Sequence, residues 1–267
     1  MKKINKKKNY FLVYLFLILI FIYLPIISLI IFSFNENDGR ISSLVHFNRF
    51  SFKWYIKIFK DKSILSVISV TFRIAILSTF LSTFIGTLAA ISLMNYKKKW
   101  RQLILNTNQF SMIIPEIINA LSLFVLFSFI RLENNFTRML LAHISFSVPY
   151  VLFSVYNKCS NLNTDFLEAS YDLGATPFQT LTKVILPQLK SVMLTSAGIV
   201  FSLSFDDFII SYFVGGSDYQ NISAYIYSLK GTINPTINAL SSFLILFVLI
   251  KIIFEYKKIK KRPYSIL

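Results

Sequence analysis

YFLVYLFLILIFIYLPIISLIIFSF, residues 10–34, is an apolar run of 25 residues that follows the basic block MKKINKKKN. A helix needs roughly 20 apolar residues to cross a hydrocarbon layer about 30 Å thick. A cleaved leader carries an apolar region of only about 7–15 residues with a small-residue cleavage site behind it. This run is too long for that and no such site follows it, so it is expected to remain as a first membrane helix. Pro25 inside it is tolerable where neighbouring helices re-satisfy the backbone.

The same signal recurs along the chain. Apolar stretches run from Ile64 to Met94, from Leu103 to Ile130 with a break at Pro115 and Glu116, from Phe136 to Tyr156, from Ser191 to Phe213 and from Ala239 to Phe254. Charged residues make up 15% of the chain, against about 25% in a soluble domain. Membrane strands would alternate apolar and polar residues over about ten positions, and these runs are continuous instead. The expected fold is all-α: one polytopic membrane domain spanning 1–267 with about six transmembrane helices. Between the first two runs lies the aromatic cluster Phe47, Phe50, Phe52, Trp54, Tyr55 and Phe59. Such residues favour the headgroup zone, so a short interfacial helix is expected there.

The net charge is +16, from 28 Lys and Arg against 12 Asp and Glu. The basic residues sit in blocks beside apolar runs, which reads as a topology signal rather than a nucleic-acid face. Lys2, Lys3, Lys6, Lys7 and Lys8, the 97–101 cluster, Lys158, Lys183, Lys190 and the basic tail all fall on one side. By the positive-inside rule that side is cytoplasmic. Both termini and the 157–190 segment are then inside, and Gly215 to Asn238 is outside. A probe at Asp218 should be labelled from outside and Cys159 spared. Cys159, the lone cysteine, excludes a disulfide framework. His46 and His143 are far apart and make no metal site; His143 is expected to be a satisfied helix-packing residue. None of the seven glycines is followed by Lys, so no phosphate-binding loop of the Gly-Lys-Ser/Thr kind is present. No catalytic residue, cofactor or metal is expected.

The 157–190 segment is punctuated as two short helices. Asp165 and Glu168 have capping-box spacing, and Gly174 is placed to end the first helix in a left-handed conformation. Thr176 with Gln179 repeats the capping spacing, and Pro177 suits a first turn. Phe178, Leu181 and Ile185 then form one apolar stripe, and Pro187 marks an end or a kink. A hairpin packed on the bundle itself reads equally well from periodicity alone.

Glu168, Ala169 and Ser170, then Gly174, then Val184-Ile185-Leu186-Pro187 resemble the EAA loop of type I ABC importer permeases (the MetI-like fold). In that family's pattern Glu-Ala-Ala is followed after three residues by Gly, and after nine more by an aliphatic, any residue and Leu-Pro. Ser170 stands where the family has a second Ala. The resemblance implies that this loop docks on a separate ATPase subunit. LSFDDFIISYFVGG, IYSLKGTINPTINAL and IIPEI resemble the C-type permeases of spermidine/putrescine importers. That implies a pair of ATPase subunits, a second homologous permease and an extracytoplasmic polyamine-binding protein, all within membrane lipid. EAA-type permeases for iron, sulfate or sugar, or a proton-coupled secondary carrier, are the alternatives.

Ionisable groups inside membrane helices cost about 2.5–3.5 kcal/mol at the helix centre and mark functional positions by default. Arg73, Glu116, Asp206 and Asp207 qualify. Neighbouring helical residues point about 100° apart, so at most one of Asp206 and Asp207 lines a path. Counted at 1.5 Å per residue, Asp207 and Arg73 lie at similar depth, about 10 and 14 Å below the outer surface. An ion pair of Arg73 with one of the two acids is therefore expected, leaving the other for a cationic cargo.

Overall fold

The computed structural model describes residues 2–36, 46–163, 165–216, 219–229 and 235–260. In chain order the helices are α1 (Lys2–Phe32), α2 (Lys53–Lys60), α3 (Lys62–Leu93), α4 (Lys98–Ile113), α5 (Glu116–Phe129), α6 (Asn135–Cys159), α7 (Asp165–Asp172), α8 (Pro177–Thr180), α9 (Leu186–Asp206), α10 (Ile209–Gly215), α11 (Ile222–Ser228) and α12 (Pro235–Lys260). A wide π-helical turn, Leu181–Ile185, joins α8 to α9. The backbone divides into two compact units, Met1–Leu65 with Leu229–Leu267, and Ser66–Ser228.

In the first unit α1 exposes large apolar side chains all round, Phe21 at 82% among them. A helix apolar on every side belongs in lipid. Behind α1 the chain turns through Asn35, a buried hub. Its side chain donates to the His46 carbonyl (2.8 Å) and accepts from the Asn48 amide (2.7 Å), and its carbonyl accepts from the Trp54 indole (2.9 Å). Phe34 stacks on Phe50 at 5.1 Å and meets Phe52 and Tyr55. The aromatic cluster thus folds into α2, which buries Trp54 and Ile58 on one face.

The second unit is built around α6. Val151, Val155 and Cys159 of α6 pack with Ala90 of α3 and with Leu189 and Val200 of α9. Further along α6, Ala142 joins Ala120 and Phe127 of α5 and Ile210 and Val214 of α10. Met139 packs on Val70 and Ile74 of α3. Many hydroxyls are satisfied within their own helix: Thr71 bonds the Val67 carbonyl, Ser154 that of Tyr150 and Thr195 that of Ser191. Such back-bonding lets Ser and Thr sit in a membrane helix without stranding a donor.

Four helical stretches are long and apolar enough to cross a membrane: Phe11–Phe32, Lys62–Leu93, Asn135–Cys159 and Pro177–Asp206. The pair α4 and α5 makes a fifth if counted as one span, bent by 105° at Ile114–Pro115. The expected sixth, Ala239 to Phe254, falls in α12, whose apolar stretch among the described residues is the shorter Pro235–Leu246, so the spans number four or five. Three expectations are corrected. The fifth helix does not run on to Phe213; it stops at Asp206, and α10 starts afresh at Ile209. Of the two readings of Pro187, an end or a kink, the end is excluded, since Pro177–Asp206 is a continuous helical stretch. Proline lacks an N–H and its ring crowds the carbonyl four residues back; the π-turn just ahead widens the backbone there. That turn also breaks the expected apolar stripe, leaving Phe178 73% exposed while Ile185 packs inward. Asp218 lies outside the described residues. Cys159 is buried, so its silence toward a reagent carries no information about sidedness.

Gly86 of α3 sits at a close approach to α6. A Cβ there would lie 2.7 Å from Cβ of Val151 and 3.1 Å from the Leu152 amide nitrogen on α6. Gly198 in α9 has nothing within 4 Å. Gly86→Ala should therefore destabilise the purified protein by about 1–3 kcal/mol through overpacking, whereas Gly198→Ala should leave it unchanged or slightly firmer. Melting curves in one detergent compare the two directly; equal melting temperatures would contradict this packing.

Candidate functional site

The hairpin α7–α8 is ordered by its own side chains. Asn163 accepts from the Asp165 amide (2.9 Å) and donates to the Asp165 carboxylate (3.0 Å). The expected capping role of Asp165 is thus corrected: Asp165 is the first helical residue, held by the Asn163 side chain. Glu168 sits in the first turn, where negative charge suits the helix dipole. Gly174 has φ +75°. The Ala175 amide reaches the Ser170 carbonyl (3.0 Å) and the Gly174 amide reaches that of Tyr171 (2.9 Å), the paired bonds of a Schellman end. Thr176 and Gln179 form the reciprocal capping box, at 3.3 and 2.9 Å, with Pro177 in the first turn.

Ser170 is buried, donates to the Leu167 carbonyl (2.8 Å) and pairs with the Thr180 hydroxyl (3.0 Å). Where an alanine would only fit, this serine ties α7 to α8. Glu168 and Ala169 are exposed, and so are Phe166, Tyr171, Leu173 (89%) and Phe178. Exposed apolar side chains clustered on one small hairpin mark a contact surface. Leu186 and Pro187, with Thr83, Lys190, Met193 and Leu194, line an open groove of about 430 Å³ beside it.

The intramembrane acids are drawn together by the two helix breaks. At the α9–α10 break Asp207 leaves helical geometry (ψ 132°). Its buried carboxylate accepts from the Ile210 amide (3.1 Å), the Ser211 amide (2.8 Å) and the Ser211 hydroxyl (2.6 Å). The side chain thus supplies the N-terminus of α10 with the partner its first amides lack. This is why the helix restarts. Nε2 of His143 lies 3.5 Å from the same carboxylate and 3.3 Å from the Ser211 hydroxyl. Its Nδ1 meets the Ser204 hydroxyl at 2.9 Å, which meets that of Ser78 at 2.9 Å. The Asp207 carbonyl accepts from the Asn221 amide group, whose oxygen caps Ala224 of α11. Glu116, first residue of α5 at the other break, is an electrostatic neighbour of Asp207.

Glu116 and Asp207 therefore come together as candidate site residues. Asp206 points elsewhere and is exposed, consistent with the 100° separation. Arg73 does not pair with either acid; the side chain beside Asp207 is His143, 3.5 Å away, and Arg73 is exposed with Tyr219 as its electrostatic neighbour. Equal depth along a helix does not imply equal azimuth, and Arg73 lies on a different face of α3 from Ser78. His143, Ser204 and Ser211 were not singled out as site residues from sequence. The spacing of Ser204, Asp207 and Ser211, at i, i+3 and i+7, was the available sign of one polar face. Among the described residues no three His, Cys, Asp or Glu gather as a metal site.

Residues 82–258 match the family described as binding-protein-dependent transport system inner membrane component. The spermidine/putrescine transport system permease protein PotC of Escherichia coli (strain K12) is 33% identical over 234 residues, covering 87% of each chain. The protein of the same name from Haemophilus influenzae is 31% identical, covering 87% of this chain and 89% of its own. A bacterial ABC transporter for import of the acidic polysaccharide alginate superposes with a TM-score of 0.70 at 18% identity, over 99% of this chain and 100% of the other. At that identity it speaks for the fold alone. Membership makes the chain a transport subunit rather than an enzyme, with ATP hydrolysis on separate subunits. The chain belongs to the family of binding-protein-dependent inner-membrane transport components, and is an ABC importer permease homologous to PotC.

Proposed function

We propose that this permease moves cationic polyamines, spermidine or putrescine, into the cytoplasm as one membrane domain. The observation that carries this reading is the set of carboxylates Glu116, Asp206 and Asp207 at two helix breaks, with no Lys or Arg ion-paired to them among the described residues. Broken helices inside a membrane protein are where transporters place polar binding groups, and acids there suit ammonium groups. The same acids disfavour sulfate. Iron and neutral sugars remain the alternative cargoes. A proton-coupled carrier would have no use for the exposed, doubly capped hairpin. In this reading α7–α8 faces the cytoplasm and docks on one of two ATPase subunits. A second homologous permease completes the membrane part, and an extracytoplasmic polyamine-binding protein delivers the cargo.

Cells with and without the gene should differ in uptake of labelled spermidine or putrescine and not of maltose. Equal polyamine uptake in the two, with maltose uptake lost, would overturn the assignment of cargo.

Docking is tested separately. Gly174→Val places a β-branched residue at positive φ, which is strained, and Glu168→Ala removes the first-turn charge. Each should lower cargo-stimulated ATPase activity of the reconstituted complex by about tenfold, the equivalent of about 1.4 kcal/mol in coupling. Stimulation unchanged in both would remove the hairpin from the docking role.

Sidedness follows from one added cysteine. Leu173→Cys, at the exposed hairpin tip, should react with an impermeant maleimide only after the membrane is opened. Labelling of intact cells would invert the topology.

A further inference from the structure

Around α2 three kinds of side chain run in parallel stripes. Trp54 and Ile58 are buried. Phe52, Ile56 and Phe59, at i, i+4 and i+7, are 57%, 52% and 64% exposed. Lys53, Lys57 and Lys60 repeat that spacing and are exposed as well. Each lysine follows or adjoins an apolar residue by one position, so the two exposed stripes lie side by side, about 100° apart. A short helix with one apolar and one basic outward stripe suits the plane of a membrane surface.

The height of α2 is fixed by its neighbours. The Tyr55 hydroxyl meets that of Ser33 at 2.7 Å, one residue beyond the apolar span Phe11–Phe32. The Trp54 indole donates to the Asn35 carbonyl (2.9 Å), and the Phe59 ring meets Phe243 of α12 at 6.2 Å. The helix is thereby pinned where α1 leaves the hydrocarbon, on the side opposite the N-terminus. The positive-inside rule would leave that side poor in Lys and Arg, yet eight residues of α2 carry three lysines.

Two of these charges are gathered at one point. The ammonium groups of Lys53 and Lys57 lie 5.3 and 5.6 Å from the centre of the Trp54 ring. No acid among the described residues is ion-paired with Lys53, Lys57 or Lys60. Asp61, an electrostatic neighbour of Lys57, accepts instead from the Ser63 amide (3.0 Å) and hydroxyl (2.5 Å) at the start of α3. One anionic group between Lys53 and Lys57 would answer both charges. The apolar stripe beside them fits an anion that carries acyl chains.

We propose that α2 holds the headgroup of an anionic phospholipid between Lys53 and Lys57, with Phe52, Ile56 and Phe59 against its acyl chains. Trp54 positions the two lysines, and its own N–H is committed to Asn35. A docked soluble protein is the rival occupant of this face. The level of the helix, tied to the last turn of a lipid-exposed span, favours lipid. The site is independent of which cargo the permease carries.

The test uses the full complex in phosphatidylcholine vesicles, with a bimane fluorophore on Ile56→Cys. Cys159 is buried, and the complex without the added cysteine gives the background. Brominated phosphatidylglycerol should quench the fluorophore with about a tenfold preference over brominated phosphatidylcholine. Lys53→Gln combined with Lys57→Gln should bring the two lipids to within about twofold of each other. Arg49→Gln, an exposed basic position off the Trp54 ring, should leave the preference unchanged. Glycerol phosphate in the buffer should not restore the fluorescence; if it did, the site would be one for free phosphate esters and the lipid assignment would fall. Equal quenching by the two lipids in the parent would overturn the proposal, even if the double variant does not assemble. So would a double variant that keeps the preference, or an equal loss from Arg49→Gln, the mark of a diffuse basic surface. A fluorophore that neither lipid quenches would also overturn it, and dimming on addition of the extracytoplasmic binding protein would give the face to that protein.

Discussion

A carboxylate inside a bilayer has no water to bond, so its hydrogen bonds must come from the protein or the charge is unaffordable. Asp207 finds them by ending one helix and beginning the next. The amides of Ile210 and Ser211 are donors that any helix start leaves over, and the Ser211 hydroxyl adds a third. Charge-assisted bonds of this kind contribute roughly 1.5–3 kcal/mol each, enough together to offset the cost of burial. The interruption of the apolar stretch and the burial of the acid are therefore one event. Remove the carboxylate and α10 loses its cap; straighten the helix and the carboxylate loses its donors.

The consequences spread because the partners of that acid lie on different helices. His143 brings in α6, Ser204 the end of α9 and Ser78 the middle of α3, while Asn221 fastens the segment that leads into α11. Around this polar thread the packing is ordinary: small residues at close approaches such as Gly86, aliphatic residues elsewhere. In lipid, apolar side chains gain little by leaving the solvent, and interhelical hydrogen bonds and tight packing carry more of the specificity. The polar thread fixes which faces meet, and the small residues set how closely.

Much of this was legible in the residues. Length and apolarity alone located α3, α6 and the apolar span Phe11–Phe32 of α1 to within a few positions, because a bilayer imposes a length that few other environments do; the basic start of α1, helical from Lys2, lay outside that reading. The break before Glu116 followed from Pro115. Gly174 at positive φ and the Thr176–Gln179 box were readable because caps are local, with both partners within a few residues. The break at Asp207 was not, since LSFDDFIISYFVGG is apolar enough to run through and nothing local announces that a side chain will capture two amides downstream. The supposed Arg73 pair failed for a related reason. Counting residues gives height along an axis, whereas pairing also needs rotation about it, and that is set by packing between helices distant in sequence. Ser170 looked like a tolerated variant of alanine until its hydroxyl met Thr180.

The uninterrupted run from Pro177 to Asp206 has a mechanical meaning. Thirty helical residues make a rod of about 45 Å, with the exposed hairpin at one end and the paired acids at the other. Helices are stiff along their axis, so in the proposed docking role a push at α8 would arrive at Asp206 as displacement instead of being absorbed by a loop. The compliant place in the rod is the π-turn ahead of Pro187, whose wider coil holds one residue more than the neighbouring turns. Tightening it would turn everything beyond by about 100°. The lever thus carries its own torsional joint, set close to the handle.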